Sequence, residues 1–250
     1  MHSPIETGIT HQEDFKVSMM FCLVTRPDAP DIGTEVTSGV SVGSPMVKPS
    51  HDTIDVVASE LERLFSYRGA VDPAMGVTML DTDMLVLPCW TREFCDLLIE
   101  AAEATGGFAV NEFDPVPAHE TSLGAISPSL FERVQDDFGS RIWPQLKSVW
   151  PLIEYYGIND AFIIKYEVGQ QEELRIHHDI AQVSASIKLN DNYQGAVLEF
   201  PRQKKTNESI PVGSMLAWPS LVTHPHASTP IQSGVKYSLT VWFELPLALG

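Results

Sequence analysis

RIHHDIAQVSASIKLN, residues 175–190, carries a polar triplet followed by a run in which apolar and polar side chains alternate: Val183, Ala185 and Ile187 against Ser184, Ser186 and Lys188. A period of two is the mark of a half-buried strand. Alternate side chains of an extended chain share a face, so His177 and Asp179 point one way and His178 the other. One imidazole and one carboxylate at i, i+2 leave a small metal site a ligand short. The stretch VTHPHAST offers His224 and His226 to complete it.

The texture continues outward from this strand. AFIIKYEV, AVLEF, SMLAW and KYSLTVWFEL are short β-rich runs separated by Gly, Pro and Asn clusters. Strands this close together, with no helix between them, predict an antiparallel sandwich or barrel rather than a parallel sheet.

Upstream the periodicity is helical. Residues 52–65 (DTIDVVASELERLF), 91–105 (TREFCDLLIEAAEAT) and 127–150 (SPSLFERVQDDFGSRIWPQLKSVW) predict three helices before any dense strand signal. Thr91 and Ser127 are placed as N-caps, Gly106 as a stop signal, and Pro144 as a kink or restart. Three regions follow within a single catalytic domain. Residues 1–50, rich in Pro, Gly, Ser and Thr, form a partly ordered arm; 51–156 form a helical support region; 157–250 form the β-rich core.

Composition narrows the function. A chain of 250 residues with 44% apolar content can bury a sizeable core unaided. A net charge of −17 opposes binding to a phosphate backbone, so nucleic acid is not an expected partner. Cys22, Cys89 and Cys95 are odd in number and form no CxxC pair, which fits a reducing, cytoplasmic setting. The acidic first residues lack a signal-peptide pattern, and no window approaches the roughly 18 apolar residues of a membrane span.

An HxD pair alone is common on surfaces, and a Lys opening a strand is ordinarily solvated. Together, two histidines and a carboxylate with open positions beside them make the facial triad of non-haem Fe(II) oxygenases, which bind a co-substrate and O2 at the metal. Lys236, ten residues past His226, supplies a cation for the far carboxylate of 2-oxoglutarate. A zinc hydrolase would suit the same ligands but leave Lys236 without a role.

The stretches IIKYEVGQQEELRIHHDIAQVSASIKLN, YQGAVLEFPRQ and VGSMLAWPSLVTHPHASTPIQSGVKYSLTVWFE resemble the catalytic domain of the procollagen lysyl hydroxylases, within the prolyl and lysyl hydroxylase group of Fe(II)/2-oxoglutarate dioxygenases. The resemblance covers roughly the last 90 residues. It implies an α+β fold with a double-stranded β-helix core, jelly-roll and cupin-like, buttressed by the N-terminal helices. It implies His177, Asp179 and His226 as iron ligands. Lys236 would pair with the C5 carboxylate of 2-oxoglutarate, and Tyr166 would donate a hydrogen bond to it. Two positions depart from the family pattern. Lys236 stands where the family has Arg, a point charge in place of a planar fork. Ser186 stands where the family has a co-substrate-binding Asn.

The resemblance further implies a hydroxylase that uses Fe(II), 2-oxoglutarate and O2, with ascorbate as a stimulant, and releases succinate and CO2. The expected substrate is a small amino-acid-type molecule, lysine-like, free or carrier-bound. Desaturation, ring closure or hydroxylation of a peptidyl residue would need the same machinery. Glu120, Asp160, Glu172 and Glu173 are candidates for a substrate ammonium and Arg175 for a substrate carboxylate. His178 and His224 are assigned supporting roles.

Overall fold

The computed structural model describes residues 51–66, 69–110 and 114–246, so the arm expected over residues 1–50 lies outside the described residues. Thirteen strands and five α-helices form the rest. The strands are β1 (Thr78–Asp81), β2 (Met84–Pro88), β3 (Ala109–Val110), β4 (His119–Ser122), β5 (Ile158–Glu167), β6 (Leu174–His177), β7 (Val183–Lys188), β8 (Tyr193–Gly195), β9 (Leu198–Phe200), β10 (Lys205–Thr206), β11 (Ser214–Pro219), β12 (His226–Ser228) and β13 (Ile231–Phe243). The helices are α1 (His51–Ser66), α2 (Arg92–Ala104), α3 (Leu123–Ile126), α4 (Pro128–Asp137) and α5 (Trp143–Val149).

The strands form two antiparallel sheets. The major one runs β1-β2-β11-β7-β13-β5-β4-β3, with β8 also on β13, and the minor one runs β10-β9-β12-β6. From β5 onward the chain passes repeatedly between them: β5 major, β6 minor, β7 major, β9 minor, β11 major, β12 minor, β13 major. That alternation is the winding of a double-stranded β-helix.

Strand alternation sorts the major sheet into two faces. Ile163, Ala185, Ile187, Met215, Ala217, Leu239 and Val241 pack against Phe94, Leu98, Leu130, Val134, Phe138 and Trp143 of the helical layer. Their neighbours in sequence point the other way. Phe162, Ile164 and Tyr166 of β5 meet Leu174 of β6, and Leu216 and Trp218 of β11 meet Phe200 of β9. Each large apolar side chain fully buried in these layers contributes about 1.5–3 kcal/mol.

The helix signals act as their chemistry predicts. Thr91 Oγ1 accepts from Phe94 N at 3.3 Å, and Gly106 takes a left-handed φ of 59° just past α2. Pro144 has no N–H to continue the ladder. The chain accommodates it by a wide turn over Phe138–Ile142 and a restart at Trp143, with Pro144 in the first turn of α5.

The sequence reading places only helices between residues 51 and 156, whereas β1 to β4 also lie there, with β2 pairing to β11 and β4 to β5. MLVLP at β2 is a short apolar run with no alternation to betray it. HETS at β4 is polar, and its pairing with β5 overrides weak strand propensity.

Candidate metal centre and co-substrate pocket

Because β6 and β12 are registered with His177 opposite His226, the two imidazoles meet at a tilt with a centroid distance of 4.4 Å. Asp179, two residues beyond His177, brings its carboxylate between them. Oδ1 lies 3.5 Å from His177 Nε2, and Oδ2 lies 3.6 Å from His226 Nε2. Asp179 and His226 are buried and His177 half-buried. Among the described residues this is the one group of three or more such side chains able to share a metal ion.

The outer nitrogens fix the tautomers. His177 Nδ1 lies 2.8 Å from the Arg175 carbonyl, and His226 Nδ1 lies 3.0 Å from the His224 carbonyl. A carbonyl only accepts, so both Nδ1 atoms carry the hydrogen and both Nε2 lone pairs face the cluster. Burial holds His226 below the ordinary imidazole value, with Asp179 opposing that shift and His177 adding to it. Neutral imidazole is the form that ligates.

The donor set fits a metal on a second ground: Asp179 Oδ2 is buried without a hydrogen-bond partner among the described residues. An orphaned carboxylate oxygen in the interior is costly unless a cation meets it. Two imidazoles and one carboxylate on one side suit ferrous iron with open coordination positions.

Behind the triad, on the inner faces of β13 and β5, Lys236 and Tyr166 are directly opposed. Lys236 is 3% exposed. Its Nζ sits 4.6 Å from the Tyr166 ring centroid and donates to the Ala196 carbonyl at 2.6 Å. No carboxylate pairs with it among the described residues. Burial, reinforced by the charge of Lys188, pushes the Lys236 ammonium down to about 7. Burial pushes the Tyr166 phenol up to about 12, so it remains a donor. The Ser228 hydroxyl is also buried and lacks a hydrogen bond of ordinary geometry. A buried cation beside two buried hydroxyls, with no anion among them, suits a carboxylate.

Ser186 shares the inner face. It is registered with Leu216 and Thr240, four residues along β13 from Lys236. The remaining candidates divide. His178 is exposed. His224 is buried and absent from the triad; its ring meets Thr223 Oγ1 at 2.9 Å, and its carbonyl holds His226. Arg175 donates to the Pro115 carbonyl. Glu172 and Glu173 are exposed, with Glu172 accepting from Gly169 N. Glu120 and Asp160 share the inner side of β4 and β5, opposite Ile164 and Trp242. Burial first, then Asp114 and Asp160, push the Glu120 carboxyl up to about 7.

Three contributors escaped the sequence reading. Phe200 and Trp218 pack on His226 with ring centroids 5.5 and 5.0 Å away, which only the meeting of the two sheets reveals. The Ala196 carbonyl reaches Lys236 because Gly195 and Ala196 both take left-handed φ, 78° and 46°. For alanine that conformation is strained by about 1 kcal/mol. Only the glycine left a trace in the sequence.

Residues 161–244 match the profile of the 2OG-Fe(II) oxygenase superfamily. That span holds the triad, Lys236 and Tyr166, and this part of the chain is an oxygenase domain of that superfamily, whose members use Fe(II), 2-oxoglutarate and O2.

Among curated relatives, procollagen-lysine,2-oxoglutarate 5-dioxygenase 1 of Bos taurus is 25% identical over 261 residues, covering 93% of this chain and 35% of its own length. The procollagen lysyl hydroxylase and glycosyltransferase of Acanthamoeba polyphaga mimivirus is 27% identical over 175 residues, covering 65% of this chain and 19% of its own. The chain thus spans about a third or less of the length of these relatives. The crystal structure of a Pseudomonas putida prolyl-4-hydroxylase aligns with a TM-score of 0.47 at 18% identity, covering 75% of this chain and 98% of that one.

Proposed function

We propose that the protein is a hydroxylase that converts an unactivated C–H bond of a lysine-like, amino-acid-type substrate to C–OH. It would consume one 2-oxoglutarate and one O2 and release succinate and CO2. Iron held by His177, Asp179 and His226 would supply the oxygen-activating chemistry. The rest falls to the chain: keep both Nε2 atoms unprotonated, leave coordination positions open, and grip the far carboxylate of the co-substrate with Lys236 and Tyr166.

The observation that carries this reading is Lys236, a buried ammonium with a carbonyl and an aromatic face as partners but no anion. A metal hydrolase has no use for such a group. The lysine-like substrate is supported by the names of the relatives, which act on procollagen lysine. The inward-facing Glu120 and Asp160, suited to an ammonium, support it as well. Those names also support a second reading, hydroxylation of a peptidyl lysine.

Succinate release should be followed with Fe(II), 2-oxoglutarate and a panel of free amino acids and lysyl peptides. Turnover that requires both Fe(II) and a panel member supports the proposal. Full turnover with Zn(II), or after Lys236→Met, overturns it.

A further inference from the structure

At the turn that leads into β12, two residues before the metal ligand His226, lies an open hollow of about 350 Å³ whose lining is not explained by iron or 2-oxoglutarate. Asp81 ends β1 and Asp83 lies in the turn between β1 and β2, Arg202 and Gln203 come from the turn between β9 and β10, and Thr223 and His224 from the turn before β12. From this lining we infer that the cavity is the subsite for the charged head group of the substrate, and that the head group is the zwitterion of a free α-amino acid. The inference rests on the proposed oxygenase reading and narrows its substrate from amino-acid-type to unblocked amino acid.

The lining holds both signs of charge without letting them cancel. Arg202 makes no ion pair with Asp81 or Asp83; its one hydrogen bond among the described residues, to the Thr223 carbonyl, is long at 3.5 Å. Asp81 Oδ1 accepts from Thr82 N at 2.8 Å and Asp83 Oδ1 from Trp150 Nε1 at 3.4 Å, which leaves each carboxylate a second oxygen. Gln203 donates Nε2 to the Thr223 carbonyl at 2.9 Å, which ties the β9–β10 turn to the turn before β12. The cavity therefore offers donors to a carboxylate and acceptors to an ammonium. An α-amino acid carries both on one carbon.

The cavity is coupled to the metal through the chain. Leu221 N donates to the Asp179 carbonyl at 3.0 Å, and the His224 carbonyl accepts from His226 Nδ1 at 3.0 Å. One short turn thus ties both ends to metal ligands while its Thr223 and His224 line the cavity. A head group held there leaves a side chain to follow the turn toward the triad. A peptidyl residue presents neutral amides instead, which offer the guanidinium and carboxylates no opposite charge.

The test is calorimetric binding to the full chain loaded with Mn(II) and 2-oxoglutarate. The ligands are the free protein amino acids and ornithine, together with amidated, Nα-acetylated and doubly blocked forms of whichever binds. The inference expects a free amino acid to bind and the doubly blocked form to bind at least about tenfold more weakly. Arg202→Gln should abolish discrimination against the amide, and the Asp81→Asn/Asp83→Asn pair should abolish discrimination against the Nα-acetyl form. Arg202→Lys should restore part of the first. All three variants should keep Mn(II) and 2-oxoglutarate binding. Equal affinity for free and doubly blocked forms, no binding by any free amino acid, or unchanged discrimination in the variants overturns the inference. Failure of the wild-type chain to bind Mn(II) or 2-oxoglutarate would overturn the oxygenase reading itself.

Discussion

His177 and His226 are registered partners across the β6–β12 ladder, so backbone pairing sets the distance between two side chains 49 positions apart in sequence. Each ring is locked by a carbonyl two residues earlier in the chain. The site is therefore built by the sheet before any metal arrives, with Asp179 closing it.

This geometry separates the two neighbouring histidines. His226→Ala removes a ligand and should lower Fe(II) or Mn(II) affinity by more than the 10–100-fold typical of lost supporting contacts, roughly a thousandfold. His224→Ala removes a ring but leaves the carbonyl that orients His226. Its metal affinity should stay within about tenfold of wild type. Metal titration of both variants decides the assignment, and the reverse order would place His224 at the metal.

Asp179 trades stability for binding. Its Oδ2 is buried and unpartnered, so Asp179→Asn, which removes the charge, should stabilise the metal-free protein by about 1–3 kcal/mol. The same change should abolish tight metal binding. Urea unfolding with and without Mn(II) measures both, and a destabilised metal-free variant would show that the carboxylate has a structural partner instead.

Lys236 makes the co-substrate pocket pH-sensitive. Its ammonium titrates at about 7 in the folded chain, against about 10.4 when unfolded. Between those values the unfolded state binds more protons, so stability rises with pH across the window and is lowest below pH 7. A 2-oxoglutarate carboxylate pairs only with the charged form. Binding above pH 7 must then take up a proton, and affinity should fall by up to about tenfold per pH unit. Calorimetry in buffers of different ionisation enthalpy reports the uptake directly; constant affinity from pH 6.5 to 9 would contradict it. Lys236→Met should stabilise the ligand-free chain while 2-oxoglutarate binding is lost.

How much of this was legible follows from the range over which each feature is encoded. The pairing of His177 with Asp179 is local, a matter of strand alternation. The placement of Lys236 opposite Tyr166 is not, because a one-residue slip between β13 and β5 would turn one of them to the helical side. The resemblance assigns both side chains to one co-substrate carboxylate, which alternation alone does not specify. β4 was illegible because HETS carries weak strand propensity and takes its form from β5. Asp81 at the end of β1 and the turn residues Asp83, Arg202 and Gln203 lie up to 122 positions apart. Each reads as an ordinary polar turn residue until the fold gathers them around one cavity.

Phe200 links stability to the site. Its side chain is fully buried, packs on Trp218 with ring centroids 5.0 Å apart, and lies 5.5 Å from His226. Phe200→Ala should cost about 3–5 kcal/mol from lost transfer energy and the cavity left between the sheets. The same cavity frees the His226 ring to turn about its Nδ1 contact, so the variant should also bind Mn(II) more weakly under conditions where it is fully folded. Phe138→Ala, in the helical layer on the opposite face of the major sheet, should cost a similar amount while leaving metal affinity unchanged. Comparing the two by urea unfolding and metal titration separates global destabilisation from local loosening. Equal loss of metal affinity in both would show that Phe200 acts through stability alone.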